Sequence, residues 1–149
     1  MEWKLSQQLC FLLYANARHI IKSYKPFLDP YGLTYTQYIT MIALWENDHQ
    51  LVGELGHKLS LDSGTLTPLL KKLEKDGRIN RIRDIEDERK VVIELTEQGK
   101  KLSEQMKHVP YDHFKCVNLP EEDVMHLFRI LSKLYKDEED CHVEEETNE

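Results

Sequence analysis

The first thirty residues carry apolar side chains at helical spacing. Apolar residues recur every three or four positions, which predicts one long amphipathic helix over residues 5–28. These residues are Leu9, Leu13, Ala17, Ile20, Tyr24 and Phe27. Asp29, Pro30 and Gly32 follow, and residues of these types favour turns. We therefore expect the first helix to end near residue 29.

Two shorter helices are predicted next. Thr34 can cap the second helix, which ends at the polar residues 46–50 and carries the apolar residues Tyr38, Met41, Ile42 and Trp45. A third helix is predicted over residues 51–59.

A fourth helix is predicted over residues 61–77. Asp62 and Ser63 are candidate N-terminal caps, and Gly77 is placed to end the helix. Its apolar face repeats at helical spacing and consists of Leu66, Leu69, Leu70 and Leu73. After Gly77 the apolar period changes from helical to alternating, so a different type of element should begin there.

Two short strands follow, joined by a charged loop at residues 84–89. The alternating positions of the strands are Ile79, Arg81 and Arg83, and then Val91, Ile93 and Leu95. Thr96 can cap a fifth helix, which Pro110 should interrupt, and a sixth is predicted over residues 119–135 with Pro120 in its first turn.

Helices followed by a two-stranded hairpin are typical of a winged helix-turn-helix. We therefore predict a mainly α fold with a small β-hairpin wing. One domain over residues 1–136 is expected, with a DNA-binding core at about 34–100. The helices at about 5–28 and 100–136 have little to pack against within one chain.

Charge is distributed unevenly along the chain of 149 residues, whose net charge is −7. Residues 137–149 hold eight acidic residues and neither Lys nor Arg, which predicts a mobile acidic tail. The remainder carries 19 acidic and 20 basic residues, a net charge of +1, so the overall acidity does not exclude binding to nucleic acid.

Compartment and cofactors follow from what the sequence lacks. Three cysteines without a CxxC pair indicate neither a disulfide framework nor a zinc ribbon. The chain shows no secretion signal and no apolar run of about 18 residues, so a soluble cytoplasmic protein that does not bind membranes is expected. No cofactor is predicted.

The fourth helix offers a face for DNA. If the leucines are buried, Ser63, Thr67 and Lys71 share another face at fourfold spacing, and the residues near it include Thr65, Pro68, Lys72 and Lys75. Short hydroxyl side chains can approach bases or phosphates closely, and lysines add charge. The alternative is that Ser63 only caps the helix and the lysines are only solvated.

The hairpin adds basic residues that can follow a phosphate backbone or enter a minor groove, namely Arg81, Arg83, Arg89 and Lys90. The acidic residues of the 84–89 loop would repel phosphates, and Asp87 is predicted to pair with Arg89 and orient its guanidinium. The other acids of the loop have no predicted role.

The fourth helix and the hairpin together resemble the multiple-antibiotic-resistance regulator (MarR) family, in which DER at residues 87–89 matches the wing signature. QLCFLLYANAR, YKPFLD and LTYTQY resemble its organic hydroperoxide resistance repressors and related thiol-based global regulators. The resemblance covers about residues 5–105. It implies a symmetric homodimer in which the dimerisation helices at about 5–28 and 100–136 form the interface. This dimer would bind a palindromic double-stranded operator until a peroxide oxidises Cys10.

Cys10 lies on the apolar face of the first helix, where a cysteine is often only a small hydrophobe. Tyr14 is one helical turn away, whereas Tyr24 would be about 21 Å away on a continuous helix. Tyr24 can therefore reach Cys10 only from an antiparallel partner. The resemblance implies that Tyr24 and Tyr35 of the other subunit donate hydroxyls to the thiolate, and such donors lower a thiol pKa.

Oxidation of Cys10 would first give a sulfenic acid. Members of the family then form a mixed disulfide with a small thiol or use a second protein cysteine. Cys116 and Cys141 are the candidates here, and Cys116 is favoured slightly as the resolving residue.

Two other functions fit parts of the pattern. A thiol peroxidase would use Cys10 as its nucleophile but leaves the fourth helix and the hairpin unexplained. A metal-responsive regulator could use His108, His113 and Cys116, although their spacing matches no strong ligand signature. The favoured interpretation is a repressor, not an enzyme, that senses an organic hydroperoxide.

Overall fold

The computed structural model describes residues 4–83, 90–115, 117 and 119–141. Its helices are α1 Leu9–Ser23, α2 Lys25–Leu28, α3 Tyr35–Glu46, α4 Val52–Leu59, α5 Ser63–Lys75, α6 Glu97–Met106, α7 Val109–Phe114 and α8 Glu121–Cys141. The strands are β1 Gln50–Leu51, β2 Ile79–Arg83 and β3 Val91–Leu95. The mainly α fold with a β-hairpin is confirmed.

The chain divides into two compact units, Met1–His113 and Phe114–Glu149. The first unit contains the described helices from α1 to α6 and the small sheet. The second contains α8, which extends beyond the predicted end at residue 135 to Cys141. Among the described helices, none has both the length and the apolar character that crossing a bilayer requires.

Side-chain caps fix where three helices begin. The Thr34 hydroxyl accepts a hydrogen bond from the backbone amide of Gln37, and the side-chain oxygen of Gln37 accepts one from the backbone amide of Thr34. Together they form a capping box at the start of α3. Asp62 caps α5, so Ser63 is its first helical residue and not its cap. Thr96 caps α6, as predicted.

The sheet contains a strand that the alternating pattern did not indicate. Its order is β1–β3–β2 and all its pairs are antiparallel, with Ile79 opposite Leu95 in the hairpin. β1 is only two residues long, and it pairs Gln50 with Ile93. Two residues are too few to show an alternating pattern, so the hydrophobic period could not assign residue 51 to a strand instead of to the third helix.

The leucine face of α5 forms the centre of the core. Leu66, Leu69, Leu70 and Leu73 are all buried, as predicted. They pack with residues of α3, α4 and both hairpin strands, including Met41, Leu44, Leu55, Ile79 and Ile93. This packing fixes the direction in which the opposite face of α5 points.

Two breaks between helices lie next to prolines, and the first of them was not predicted. The first helix is not continuous over residues 5–28: a single 3₁₀ turn precedes α1, and Tyr24 separates α1 from α2. Pro26 lacks the amide hydrogen that a continuous helix needs, but it is tolerated in the first turn of α2. Pro110 likewise lies in the first turn of α7, directly after the break at residues 107–108 that ends α6, so the predicted interruption is present.

Candidate DNA interface and redox site

The solvent face of α5 carries the residues predicted to contact DNA. Ser63, Pro68 and Lys71 are exposed and Thr67 is partly buried. Lys71 forms no ion pair with any residue that the structure describes. Its ammonium group is therefore available to a phosphate or a base edge.

Two other predicted contacts on α5 are already engaged within the chain. The Thr65 amide and hydroxyl both donate to the Asp62 carboxylate, at 2.9 Å each. These bonds lower the pKa of Asp62, so it is an ionised cap. Lys72 donates to Asp76 at 2.9 Å. DNA would have to compete with these contacts for both side chains.

The basic residues of the hairpin differ in where they point. Arg81 lies 3.7 Å from Glu74 of α5, and its Nε is buried without a hydrogen-bond partner in the described structure. Arg83 and Lys90 are exposed at the open end of the hairpin. Asp87 and Arg89, with their predicted pairing, lie outside the described residues.

Cys10 is the second residue of α1, and its thiol is exposed. Tyr14, one turn further along α1, accepts a hydrogen bond of 2.8 Å from Arg18, whose guanidinium lies 5.5 Å from the tyrosine ring centre. The Tyr14 oxygen is engaged as an acceptor, but its hydrogen remains free to be donated. Cys116 lies outside the described residues.

Tyr24 lies at the other end of α1, in a cluster of rings. The ring centre of Tyr35 is 5.1 Å away, that of Tyr38 is 5.9 Å away, and His113 stacks on Tyr24 at 3.7 Å with 16° between the planes. The Nε2 of His113 also lies 2.7 Å from the hydroxyl of Ser23. The structure therefore brings Tyr24 and Tyr35 together, but at the far end of α1 from Cys10 of the same chain.

Burial keeps these rings in their uncharged forms. It raises the pKa of Tyr24 and Tyr35, and raises that of Tyr38 to about 12. Burial also lowers the pKa of His113, so its imidazole is neutral near pH 7. At neutral pH the tyrosines are consequently hydroxyl donors and not phenolates.

Tyr38 and His113 are members of this cluster that the sequence analysis did not assign to it. Tyr38 follows Tyr35 by three positions on α3, so helical spacing could have indicated it. The ring of His113 comes from a distant segment and has no local signal. Within the described residues no group of three or more metal-ligating side chains occurs.

α1 presents its apolar residues to solvent, and none of its residues is buried. Leu9 is 69% exposed, and the other exposed apolar residues of the helix are Leu12, Leu13, Tyr14, Ile20 and Ile21. A helix of this composition requires a partner surface. Cys10 and the Tyr24 cluster lie near the two ends of this same uncovered helix.

Three packed helices, a hairpin wing and a solvent-facing basic α5 define a winged-helix DNA-binding protein. The chain matches the family model for "Transcriptional regulator SarA/Rot" over residues 22–106. It belongs to this family of MarR-like winged-helix transcriptional regulators.

Two curated relatives are similar over most of their length. The chain is 51% identical over 107 residues to the organic hydroperoxide resistance transcriptional regulator of Bacillus subtilis, covering 72% of this chain and 73% of that protein. It is 48% identical over 120 residues to the HTH-type transcriptional regulator SarZ of Staphylococcus aureus, covering 80% of each. The family and these relatives are regulators, not enzymes, which excludes the thiol peroxidase.

Solved structures of AbfR, from Staphylococcus epidermidis, share the fold. Reduced AbfR bound to DNA matches with a TM-score of 0.73 and 34% identity, over 89% of this chain and 92% of that one. AbfR with a disulfide formed matches with a TM-score of 0.64 and 33% identity, over 89% and 90% of the two chains.

Proposed function

We propose that this DNA-binding regulator is a homodimeric repressor that releases its operator when an organic hydroperoxide oxidises Cys10. The observation that carries the proposal is the position of the tyrosines. The partly buried rings of Tyr24 and Tyr35 lie together at the end of α1 opposite to Cys10, and the apolar face of α1 is uncovered.

A second copy of the chain is the partner that fits this face. Two α1 helices packed antiparallel about a two-fold axis bury the exposed leucines and isoleucines of both. The same arrangement places Cys10 of one subunit beside Tyr24 of the other. Neither Tyr24 nor Tyr35 donates its hydroxyl to another residue in the described part of the chain, so both are free to donate to a thiolate.

The chemistry requires the thiolate form of Cys10. Hydroxyl donors stabilise a thiolate and lower the pKa of the thiol. The thiolate sulfur then attacks the terminal oxygen of the hydroperoxide, the O–O bond breaks, and the alkoxide takes up a proton to leave as an alcohol. The sulfur is oxidised by two electrons to a sulfenic acid, which can condense with Cys116 or with a low-molecular-weight thiol.

DNA release would follow from where the sensor lies. Since α1 forms the proposed interface, a new disulfide there changes the separation of the two subunits and of their α5 helices. A pseudo-palindrome requires those helices in successive major grooves, about one turn of DNA apart. The relatives support such a link, because one is named for hydroperoxide resistance and AbfR was solved reduced on DNA and with a disulfide formed.

The decisive experiment measures operator binding by the reduced dimer before and after one equivalent of organic hydroperoxide, hydrogen peroxide or hypochlorite. Wild-type protein and the matched control Cys141→Ser should both release DNA on oxidation. Cys10→Ser should bind normally and stay bound. A Cys10→Ser protein that releases DNA as the wild type does would disprove the sensor.

The cross-subunit donors are tested by a pair of phenylalanine variants. Tyr24→Phe should raise the pKa of the Cys10 thiol and slow its oxidation, because the proposed donor is removed. Tyr38→Phe removes a hydroxyl from the same ring cluster, but not a proposed donor, so it should oxidise at the wild-type rate. Equal slowing in both variants would attribute the effect to packing and would contradict the donor role.

A further inference from the structure

His113 is a buried histidine to which the proposed chemistry gives no part. It is only 5% exposed, and it lies in the first unit, in the ring cluster around Tyr24. Its Nε2 lies 2.7 Å from the hydroxyl oxygen of Ser23, although the two residues are 90 positions apart. A buried polar ring requires a hydrogen-bond partner, and Ser23 supplies one from the end of α1.

The direction of this hydrogen bond follows from the other bond that Ser23 makes. The Ser23 hydroxyl donates to the Ile20 carbonyl at 2.7 Å. A serine hydroxyl carries a single hydrogen, so its oxygen can only accept from His113. His113 therefore carries a hydrogen on Nε2 and donates it to Ser23. Because burial lowers the pKa of His113, this donor is a neutral imidazole near pH 7.

Ser23 is itself fixed by the end of α1. The Ile20 carbonyl accepts from the Ser23 hydroxyl and also from the Tyr24 amide, the latter at 3.3 Å. Tyr24 is the residue at which α1 ends and the chain enters α2. The oxygen that accepts from His113 consequently has a fixed position relative to the backbone of Tyr24.

The imidazole in turn covers one face of the Tyr24 ring. The two ring centres are 3.7 Å apart with 16° between the planes, which is a close parallel stack. The ring centre of Phe27 lies 6.0 Å from that of His113 at 80°, so Phe27 packs edge-on against the imidazole. Because a phenol oxygen lies in the plane of its ring, contacts that hold this plane also restrict the position of the Tyr24 hydroxyl.

We propose that Ser23 and His113 position the Tyr24 hydroxyl: Ser23 fixes the imidazole, and the imidazole holds the ring so that its hydroxyl is directed toward Cys10 of the partner subunit. His113 is a positioning residue and not a catalytic one, because it acts on the sulfur only through Tyr24. The inference rests on the donor role of Tyr24 in the proposed function. It adds a requirement that the donor role alone does not contain, which is a hydroxyl at position 23.

The test compares serine variants of the reduced full-length protein. Ser23→Ala removes the acceptor for His113, whereas Ser103→Ala removes a matched hydroxyl that donates to the carbonyl three residues earlier in α6, also at 2.7 Å. The oxidation of Cys10 by cumene hydroperoxide, and the pH profile of its alkylation, are measured by mass spectrometry of the peptide that contains it. Ser23→Ala should be oxidised about threefold more slowly, the scale of one neutral hydrogen bond, and its Cys10 thiol pKa should be raised. Ser103→Ala and Ser23→Thr, which keeps a hydroxyl, should match the wild type.

A double variant separates positioning from general packing. Ser23→Ala combined with Tyr24→Phe should be oxidised at the rate of Tyr24→Phe alone, since no hydroxyl remains to be positioned. Further slowing in the double variant, or equal slowing in Ser103→Ala and Ser23→Ala, would overturn the inference. A wild-type rate in Ser23→Ala beside a slowed Tyr24→Phe would overturn it and leave the donor role intact. A wild-type rate in Tyr24→Phe would instead overturn the donor role, and this inference with it.

Discussion

Replacing Gly99 with alanine should disrupt the packing of α6 against the turn at Arg78 and so destabilise the winged-helix core. A Cβ atom at Gly99 would lie 2.1 Å from the carbonyl oxygen of Arg78 and 3.3 Å from Leu95. Contacts under 3.0 Å are essentially never seen for real Cβ atoms, so α6 or the turn at Arg78 must move. The obstacle is backbone, which cannot rotate away as the end of a side chain can.

The cost follows from what the movement disturbs. Three hydrogen bonds near Gly99 hold α6 against the core: the Gly99 carbonyl accepts from the Trp45 indole at 2.9 Å, the Thr96 amide donates to the Arg78 carbonyl at 3.1 Å, and the Thr96 hydroxyl donates to the Gly77 carbonyl at 2.7 Å. Overpacking costs about 1–3 kcal/mol, and each weakened bond about 1 kcal/mol more. The higher helix propensity of alanine offsets about 1 kcal/mol of this cost. At the lower end of these ranges, the free energy of unfolding should fall by about 3 kcal/mol.

Urea unfolding followed by circular dichroism, at one protein concentration and under reducing conditions, measures this loss. A loss of 3 kcal/mol corresponds to a fall in Tm of about 6–12 °C for a chain of this size. Gly53→Ala is the matched control, because a Cβ there meets nothing within 4 Å in the exposed face of α4, and it should stabilise by up to about 1 kcal/mol. Wild-type stability in Gly99→Ala would refute the close approach of α6 to Arg78.

Three further predictions concern α5, α3 and the ring cluster. Lys71→Ala should weaken operator binding and reduce its salt dependence by about one counterion, whereas an unchanged salt slope in fluorescence anisotropy would contradict the docking face. Thr34→Ala should lower the free energy of unfolding by about 1 kcal/mol through loss of the capping box, and no change on urea unfolding would show that the cap contributes nothing. His113 has a folded-state pKa below that of the unfolded chain, so the unfolded state takes up the proton first and stability should fall below about pH 6.5. Parallel unfolding at pH 8 and pH 5 should show a smaller fall in His113→Gln, and the same fall would exclude His113 as its source.

Local patterns were sufficient for the elements that build the DNA-binding core. The leucines of α5 lie on one face because helical spacing puts them there, and the period change after Gly77 located the hairpin. Thr34 could be predicted as a cap because a cap acts within four residues of itself. In each case the residues that carry the signal also make the contacts.

The contacts missed from the sequence join segments that are distant along the chain. β1 has only two residues and exists because β3 pairs with it. His113 stacks on Tyr24 across almost ninety positions, and no spacing rule connects such residues. Arg78 showed no special pattern either, since its contact with the Tyr31 carbonyl joins residues 47 positions apart.

The break at Tyr24 leaves its ring at the far end of α1 from Cys10 of the same chain. A continuous helix would have placed Tyr24 on the apolar face of α1. The break at Tyr24 instead brings its ring against Tyr35 and His113. The ring is thereby anchored to α3 and α7 of its own chain, while its hydroxyl stays free for another. A thiolate held by that hydroxyl from the partner subunit would tie the sensor to α3, which packs directly on α5. Oxidation of Cys10 would then act on α5 through two packing contacts, that of Tyr24 with α3 and that of α3 with α5.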